Sequence, residues 1–197
     1  MLPGLPAPLR SINEAVAVDA GERHLSLRAG PRTDWFIDPG GGVAVDDAPA
    51  LVMPAVGDWS LRAYVSAAHA ATFDAAVLVV RVDHRTWAKL CLERAPDSSV
   101  MVVSVVTRGF SDDCNSVVLE GGATWLRVSR LGSAFAFHWS PGGDTWQMVR
   151  YFGLGPAAGP NVEVGVLAQS PTGDGCLATF EQIDFSPRRL PDVRSGA

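Results

Sequence analysis

The chain of 197 residues is long enough to bury the core of one β-rich domain. Its 47% hydrophobic and 19% charged residues are typical of a globular protein rather than a disordered one. The net charge of -5 and the scattered basic residues argue against a nucleic-acid surface and an anionic membrane surface, which both need clustered lysine and arginine. No apolar run approaches the length of a membrane span.

The cysteines indicate a reducing environment. Cys91, Cys114 and Cys176 are an odd number and show no metal-ligand spacing. The first residues lack the basic and apolar regions of a signal peptide. We therefore expect a cytoplasmic protein, and we predict neither a cofactor nor a metal site.

In chain order, the pattern divides the sequence into three parts. Residues 1–20 are predicted to form a Pro-rich N-terminal arm, residues 21–186 a single β domain, and residues 187–197 a flexible C-terminal tail. Within the domain, alternating or apolar runs predict strands at residues 25–29, 59–65, 75–83, 86–93, 99–108, 125–130, 134–140, 146–151, 161–169 and 176–185. Short strands separated by Gly, Pro and Asp turns predict an all-β, two-sheet antiparallel β-sandwich, with a barrel of similar strand count as the alternative.

Several short motifs follow one another in an order that is specific only when they are taken together. They lie at residues 33–36, 57–59, 73–78, 87–93, 104–107, 111–112, 125–127, 140–146, 150 and 165–171. This order resembles the "regulation of enolase" family of the concanavalin A-like lectin/glucanase superfamily. The resemblance implies a jelly-roll sandwich with one concave sheet, implies no settled reaction, and suggests glycan binding only through the superfamily.

The chain departs from the family pattern at three positions. Val77 and Cys91 stand where the family has glycines, and Asp113 stands where an aromatic residue usually follows Ser-Asp. If the two glycines line the concave face, the larger side chains narrow any groove there.

Charged residues interrupt the central strands and predict a polar sheet face. A hairpin from residue 77 to residue 93 sets Arg81 opposite Lys89 and Val77 opposite Glu93 on one face. We predict ligand binding, with the two tryptophans as stacking platforms, by Asp74, Arg81, Trp87, Lys89, Glu93, Trp125, Arg127 and Arg150. A salt-bridge ladder on a solvated face is the structural alternative.

The most direct interpretation is a non-catalytic domain that binds a carbohydrate or a sugar-like metabolite. A glycoside hydrolase using Glu93 with Asp74 or Asp112 is an alternative, which needs two carboxylates about 5–9.5 Å apart. The ExDxxE motif that is typical of the superfamily's glucanases does not occur in this sequence, so we predict no catalytic residue. A protein-binding regulatory domain is the third hypothesis, and the oligomeric state stays open.

Overall fold

The computed structural model describes residues 4–197. This part of the chain contains sixteen strands. They are β1 (Arg10–Ile12), β2 (Ala17–Ala20), β3 (His24–Arg28), β4 (Trp35–Ile37), β5 (Ala44–Asp46), β6 (Ala50–Val56), β7 (Trp59–Ala67), β8 (Ala75–Asp83), β9 (Thr86–Arg94), β10 (Val100–Arg108), β11 (Ser111–Leu119), β12 (Ala123–Leu131), β13 (Ala134–Ser140), β14 (Gln147–Gly153), β15 (Asn161–Gln169) and β16 (Leu177–Ser186).

Fourteen of these strands form two sheets of seven. The first sheet has the order β1-β6-β15-β8-β9-β10-β11, the second has the order β14-β13-β12-β7-β16-β3-β2, and β4 and β5 pair separately. Neighbouring strands in both sheets run antiparallel. The predicted two-sheet antiparallel β-sandwich is confirmed, and the barrel alternative is wrong because each sheet ends in two unpaired edges.

Period-two alternation builds the core between the sheets. On β7 the side chains of Leu61, Ala63 and Val65 are buried, and on β8 those of Leu78 and Val80 are buried. Each large apolar side chain that leaves water stabilises the fold by about 1.5–3 kcal/mol. Alternate residues on the same strands therefore point to the outer faces, where the candidate sites lie.

The outer face of the first sheet has a second apolar layer. The β4–β5 hairpin lies over β8 and β9, and its Trp35 packs against Trp87 with ring centroids 5.9 Å apart. The indole N–H of Trp35 donates to the carbonyl oxygen of Ala48 at 2.9 Å. Val77 and Cys91 belong to this layer and are fully buried. Both faces of β8 and β9 are thus covered, which explains why their sequences are almost continuously apolar.

The β8–β9 hairpin has a tighter turn than the sequence suggested. Asp83 pairs with Thr86, a register shift follows between Arg81 and Asp83, and Arg81 then lies opposite Trp87. Lys89 consequently lies opposite Val79, so the predicted pairing of Arg81 with Lys89, and likewise that of Val77 with Glu93, is wrong by two residues. The error preserves the face, because side chains alternate with a period of two.

The terminal segments contribute to both sheets. β1 and β2 lie within residues 1–20 and pair with β6 and β3, respectively. Residues 1–3 of the predicted arm lie outside the described residues. At the other end, the backbone carbonyls of Val193 and Gly196 accept hydrogen bonds from side chains of the second sheet. Within residues 4–197, no helix has the length and apolar character needed to cross a membrane.

Candidate functional site: a charged cavity on the first sheet

A cavity of about 150 Å³ opens on the outer face of the first sheet. We call it the Lys89 cavity. Its lining combines charged, amide and aromatic side chains, and consists of Asp34, Phe36, Phe73, Lys89, Glu93, Val105, Asp113 and Gln169.

Two rows of cross-strand partners make the floor of the cavity. Lys89 on β9 lies opposite Val105 on β10, which lies opposite Asp113 on β11. Glu93 lies opposite Ala75 on β8, which in turn lies opposite Gln169 on β15. Because Lys89 and Glu93 are four residues apart on one strand, they share a face.

The Lys89 ammonium group is held by two polar partners. Its Nζ atom donates to Asp34 Oδ1 at 2.9 Å and to Gln169 Oε1 at 2.8 Å, and the side chain is only 2% exposed. The Gln169 amide in turn donates to the backbone carbonyl of Phe73 at 3.1 Å and approaches Glu93 Oε2 at 3.4 Å. An ammonium group has three N–H donors. Within residues 4–197, two of them are used, and the ammonium group also lies 5.5 Å from the Trp87 ring centroid.

Burial and neighbouring charges shift the pKa values of Lys89 and Glu93. Burial lowers the pKa of Lys89, but the charge of the Asp34 carboxylate and its hydrogen bond to Nζ act in the opposite direction, and the pKa lies above its ordinary value. Burial raises the pKa of Glu93 from 4.5 to about 8; Lys89 opposes this shift, and Asp113 and Asp34 add to it. At neutral pH the cavity therefore contains a charged ammonium group beside a protonated carboxyl group.

Asp113 adds a second carboxyl group with altered acidity. Its pKa is raised, mainly by burial, with Lys89 acting in the opposite direction. The cavity can donate hydrogen bonds from Lys89 and Glu93 and accept them at Asp34 and Asp113. In residues 4–197, no group of three or more His, Cys, Asp or Glu side chains could hold a metal ion.

Three other predicted residues lie near the cavity without lining it. Asp74 is fully buried, and its carboxylate accepts hydrogen bonds from the backbone amides of Ala70 and Ala71 and from the Ser170 hydroxyl. Asp74 thus braces a loop. Arg81 donates to Glu163 at 2.8 Å beside a neighbouring cavity. Trp87 is 1% exposed and its ring packs against Trp35, so it offers little surface for the predicted stacking.

The remaining predicted residues lie elsewhere on the sandwich. Trp125 and Arg127 alternate with the core residues of β12, so they lie on the outer face of the second sheet, away from the Lys89 cavity. Arg150 on β14 forms an ion pair with Asp112 on β11 at 2.9 Å and so joins the edges of the two sheets. The predicted site is therefore divided, because alternation reports which strand face a residue occupies but not which sheet holds the strand.

The structure also separates the carboxylates of the two pairs that were proposed for hydrolysis, Glu93 with Asp74 and Glu93 with Asp112. Asp112 lies opposite Val106, whose side chain belongs to the core between the sheets, whereas Asp113 lies opposite Val105 and lines the cavity. Asp74 is occupied by backbone and hydroxyl donors. Neither Asp74 nor Asp112 shares the cavity with Glu93.

Three polar lining residues were missed from the sequence. Asp34, Asp113 and Gln169 each lie in a motif that supported the family resemblance or directly beside one. Asp34 comes from the hairpin over the sheet, 55 positions before Lys89. The motif positions contained this signal, but no periodic pattern relates a loop residue to a strand so far along the chain.

The fold and this cavity define a class of protein, a concanavalin A-like β-sandwich with a charged cavity on one outer face. The chain belongs to the family described as "Protein of unknown function (DUF1349)", which matches residues 12–188. It is 27% identical, over 172 residues, to "Regulation of enolase protein 1" of Saccharomyces cerevisiae, covering 86% of this chain and 83% of that protein.

Solved structures are similar to the whole sandwich. A functionally unknown protein from Saccharomyces cerevisiae has a TM-score of 0.83 and 24% identity, with 91% of this chain and 96% of that chain covered. A xylan β-1,4-xylosidase from Bacillus halodurans has a TM-score of 0.63 and 12% identity, covering 86% of this chain and 38% of that chain. Both similarities show the fold, and the predicted membership of the "regulation of enolase" family with its concanavalin A-like sandwich is confirmed.

Proposed function

We propose that the chain is a non-catalytic binding domain that takes a sugar or a sugar-like metabolite into the Lys89 cavity. The observation that carries this proposal is the buried ammonium group of Lys89, which is fixed by Asp34 and Gln169 and has one N–H directed to neither of them. Burying a lysine is unfavourable for folding unless its charge is paired, so a position of this kind suggests a role beyond packing.

The size of the cavity limits the ligand. Its volume of about 150 Å³ is small beside the ~300–1,000 Å³ of pockets for drug-sized ligands. A cavity of about 150 Å³ can take up a molecule as large as benzene. One pyranose or furanose ring is the largest sugar unit that we expect to enter, and a polysaccharide would present only its terminal residue.

The lining suits a polyol. Lys89 and the protonated Glu93 offer hydrogen-bond donors, and the Asp34 carboxylate offers acceptors to hydroxyl groups, which both donate and accept. Phe36 and Phe73 add apolar surface at the cavity, against which the C–H groups of a sugar can pack. Since Asp34 compensates Lys89 and burial keeps Glu93 protonated, the cavity favours a neutral ligand over a strongly charged one.

A panel of monosaccharides tests the proposal. Binding of D-xylose, L-arabinose and D-glucose to the full chain is measured by saturation-transfer NMR and calorimetry, using Glu93→Ala and the matched control Glu120→Ala. Glu120 is exposed and lies outside the cavity. We expect saturable binding by at least one sugar, weakened about 10-fold or more by Glu93→Ala because a hydrogen bond from a buried group is lost, and unchanged by Glu120→Ala. Absence of saturable binding at ~10 mM would contradict the proposal, since the affinity would then be weaker than about -3 kcal/mol.

A hydrolase remains a second candidate because Glu93 has the raised pKa that a general acid needs and Asp113 lies in the same cavity. Turnover of 4-nitrophenyl β-D-xyloside or 4-nitrophenyl α-L-arabinofuranoside that Glu93→Gln abolishes would support it. Turnover that is absent, or equal in wild type and variant, would remove it.

A regulatory role through a protein partner is favoured by one observation, the name of the yeast relative. Purified enolase is the probe that this name suggests, and biolayer interferometry with the full chain measures the interaction. Saturable binding of enolase, with no binding of any monosaccharide, would favour the protein-binding function. A cytoplasmic location stays a prediction from the cysteine content.

A further inference from the structure

The outer face of the second sheet contains a larger cavity, of about 360 Å³. Its lining includes four arginines, Arg62, Arg127, Arg188 and Arg189, but Asp184 is the only acidic residue among its lining residues. We call it the arginine cavity. It lies on the opposite side of the sandwich from the Lys89 cavity, because Arg62 and Arg127 alternate with core residues of the second sheet.

Two of the arginines face each other directly. Arg62 on β7 and Arg127 on β12 are cross-strand partners, and like charges in such positions repel each other. Arg62 is compensated by Asp184 on the adjacent strand, whose carboxylate lies 3.2 Å from its Nε atom. Arg127 forms no ion pair with any residue from 4 to 197.

Arg127 is also the most buried of the four. Its side chain lies over the Trp146 ring at 4.1 Å and donates one hydrogen bond, from Nη2 to the carbonyl oxygen of Gly196 at 2.6 Å. The residue is 7% exposed, and within the described chain its Nε–H has no acceptor. A buried donor without a partner destabilises the fold, and more so when the group is charged. Arg127 lines the cavity, so an anion bound there would lie beside its uncompensated charge.

The segment after β16 completes the cavity. Arg188 and Arg189 line it, and Arg188 contacts the Ser186 hydroxyl at 3.4 Å. Arg189 is paired with Asp58 at 3.3 Å, but among residues 4–197 Arg188 has no carboxylate partner. Arg127 and Arg188 thus remain uncompensated in one cavity, which matches the charge of a dianion.

We propose that the arginine cavity binds a phosphate group, either as the free ion or as a phosphomonoester. Guanidinium groups present parallel N–H donors that match phosphate oxygens in pairs, and the Ser186 hydroxyl, which accepts a hydrogen bond from Arg188, can donate its own O–H. Phosphate alone would leave much of the 360 Å³ empty, so the organic part of a small phosphorylated metabolite fits as well. This site is independent of the sugar-binding function proposed for the Lys89 cavity.

Calorimetry on the full chain tests the proposal with inorganic phosphate and with glycerol 3-phosphate, and glycerol serves as the uncharged control. Ionic strength is held constant with sodium chloride, because salt screens exposed charges. Arg188→Gln and Arg127→Lys remove one guanidinium group each. Arg28→Gln is the matched control, since Arg28 is an exposed arginine of the same sheet outside the cavity.

We expect saturable binding of at least one phosphate probe, weakened about 10-fold or more by Arg188→Gln and by Arg127→Lys, because each loses charged hydrogen bonds. Arg28→Gln should bind like wild type. Tighter binding of glycerol 3-phosphate would identify a phosphomonoester site, whereas binding of phosphate alone would identify a site for the free ion.

The proposal is overturned if neither probe binds saturably, or if Arg188→Gln and Arg28→Gln have the same affinity as wild type. A thermal melt of each variant separates lost binding from lost folding. If Arg127→Lys does not fold, Arg188→Gln decides the question, because Arg188 is exposed and its side chain contacts only Ser186 by hydrogen bond among the described residues. Glu93→Ala should leave phosphate binding unchanged, so the two sites can fail separately.

Discussion

Replacing Glu93 with Gln should change how the stability of the protein depends on pH. In the folded chain, burial raises the pKa of Glu93 from 4.5 to about 8, against the opposing effect of Lys89. In the unfolded chain the carboxyl group ionises near its ordinary value. Between these two pKa values the folded state binds a proton that the unfolded state has released, so wild-type stability falls as the pH rises from 4.5 to 8.

The magnitude follows from the width of this window. One pKa unit corresponds to about 1.4 kcal/mol, so Glu93 should reduce the free energy of unfolding by on the order of 3–5 kcal/mol across the window. Below pH 4.5 the carboxyl group is protonated in both states, and above about pH 8 it is ionised in both, so the dependence levels off at each end. Gln cannot ionise, and Glu93→Gln should remove this contribution.

Urea unfolding followed by tryptophan fluorescence, at pH 5, 6, 7 and 8, measures the effect. The difference in unfolding free energy between wild type and Glu93→Gln should shift steadily in favour of the variant as the pH rises. Glu120→Gln, on an exposed residue, is the control and should parallel wild type. Parallel pH profiles for wild type and Glu93→Gln, within about 0.5 kcal/mol, would refute the inference that Glu93 is buried and protonated at neutral pH.

Three further changes test other parts of the structure. Lys89→Met should reduce the free energy of unfolding, measured in urea, by about 3 kcal/mol, because Asp34 loses its buried partner. The double variant Lys89→Met, Asp34→Asn should recover part of this loss. If the single and double variants lose the same amount of stability, the pairing of Lys89 with Asp34 is contradicted. Burial lowers the pKa of His138 to about 4, so wild-type stability should fall as the pH drops from 6.5 to 4, and His138→Gln should show a flatter profile in phosphate-free buffer. In Gly165→Ala the new Cβ would lie 2.0 Å from the Leu51 carbonyl oxygen. This clash should reduce the free energy of unfolding by about 3 kcal/mol or more and lower Tm by roughly 6–12 °C. An unchanged Tm would contradict this packing.

The sequence was most informative where a strand is buried on one or both faces. Alternation placed Lys89 and Glu93 on one face, and the two-residue error in register did not move them to the other face. Two long strands were not predicted. β6 contains Pro54, which lies beyond the residues that pair with β1 and so occupies an edge where its missing N–H is tolerated. β11 is an exposed edge strand, and its polar composition resembles a loop.

The composition of each site was harder to predict than its strands. Asp34 reaches Lys89 from a hairpin that folds over the sheet, and such contacts depend on the path of a loop rather than on periodicity. Trp125 and Arg127 were grouped with Lys89 because all three occupy outward positions on their strands. A sandwich has two outer faces, and the alternation of side chains along a strand does not show which of the two faces a residue occupies.

The two outer faces differ in how their charges are compensated, and this difference predicts different ligands. In the Lys89 cavity the buried cation is paired with Asp34 and the neighbouring Glu93 is protonated at neutral pH, so a neutral polyol should bind with an affinity that salt hardly changes. In the arginine cavity, Arg127 and Arg188 form no ion pair within residues 4–197, so the binding of an anion should weaken as sodium chloride is raised. Calorimetric titrations with D-xylose and with phosphate at low and high salt should therefore diverge. Equal salt dependence of both probes would show that the arginine cavity has no net attraction for anions.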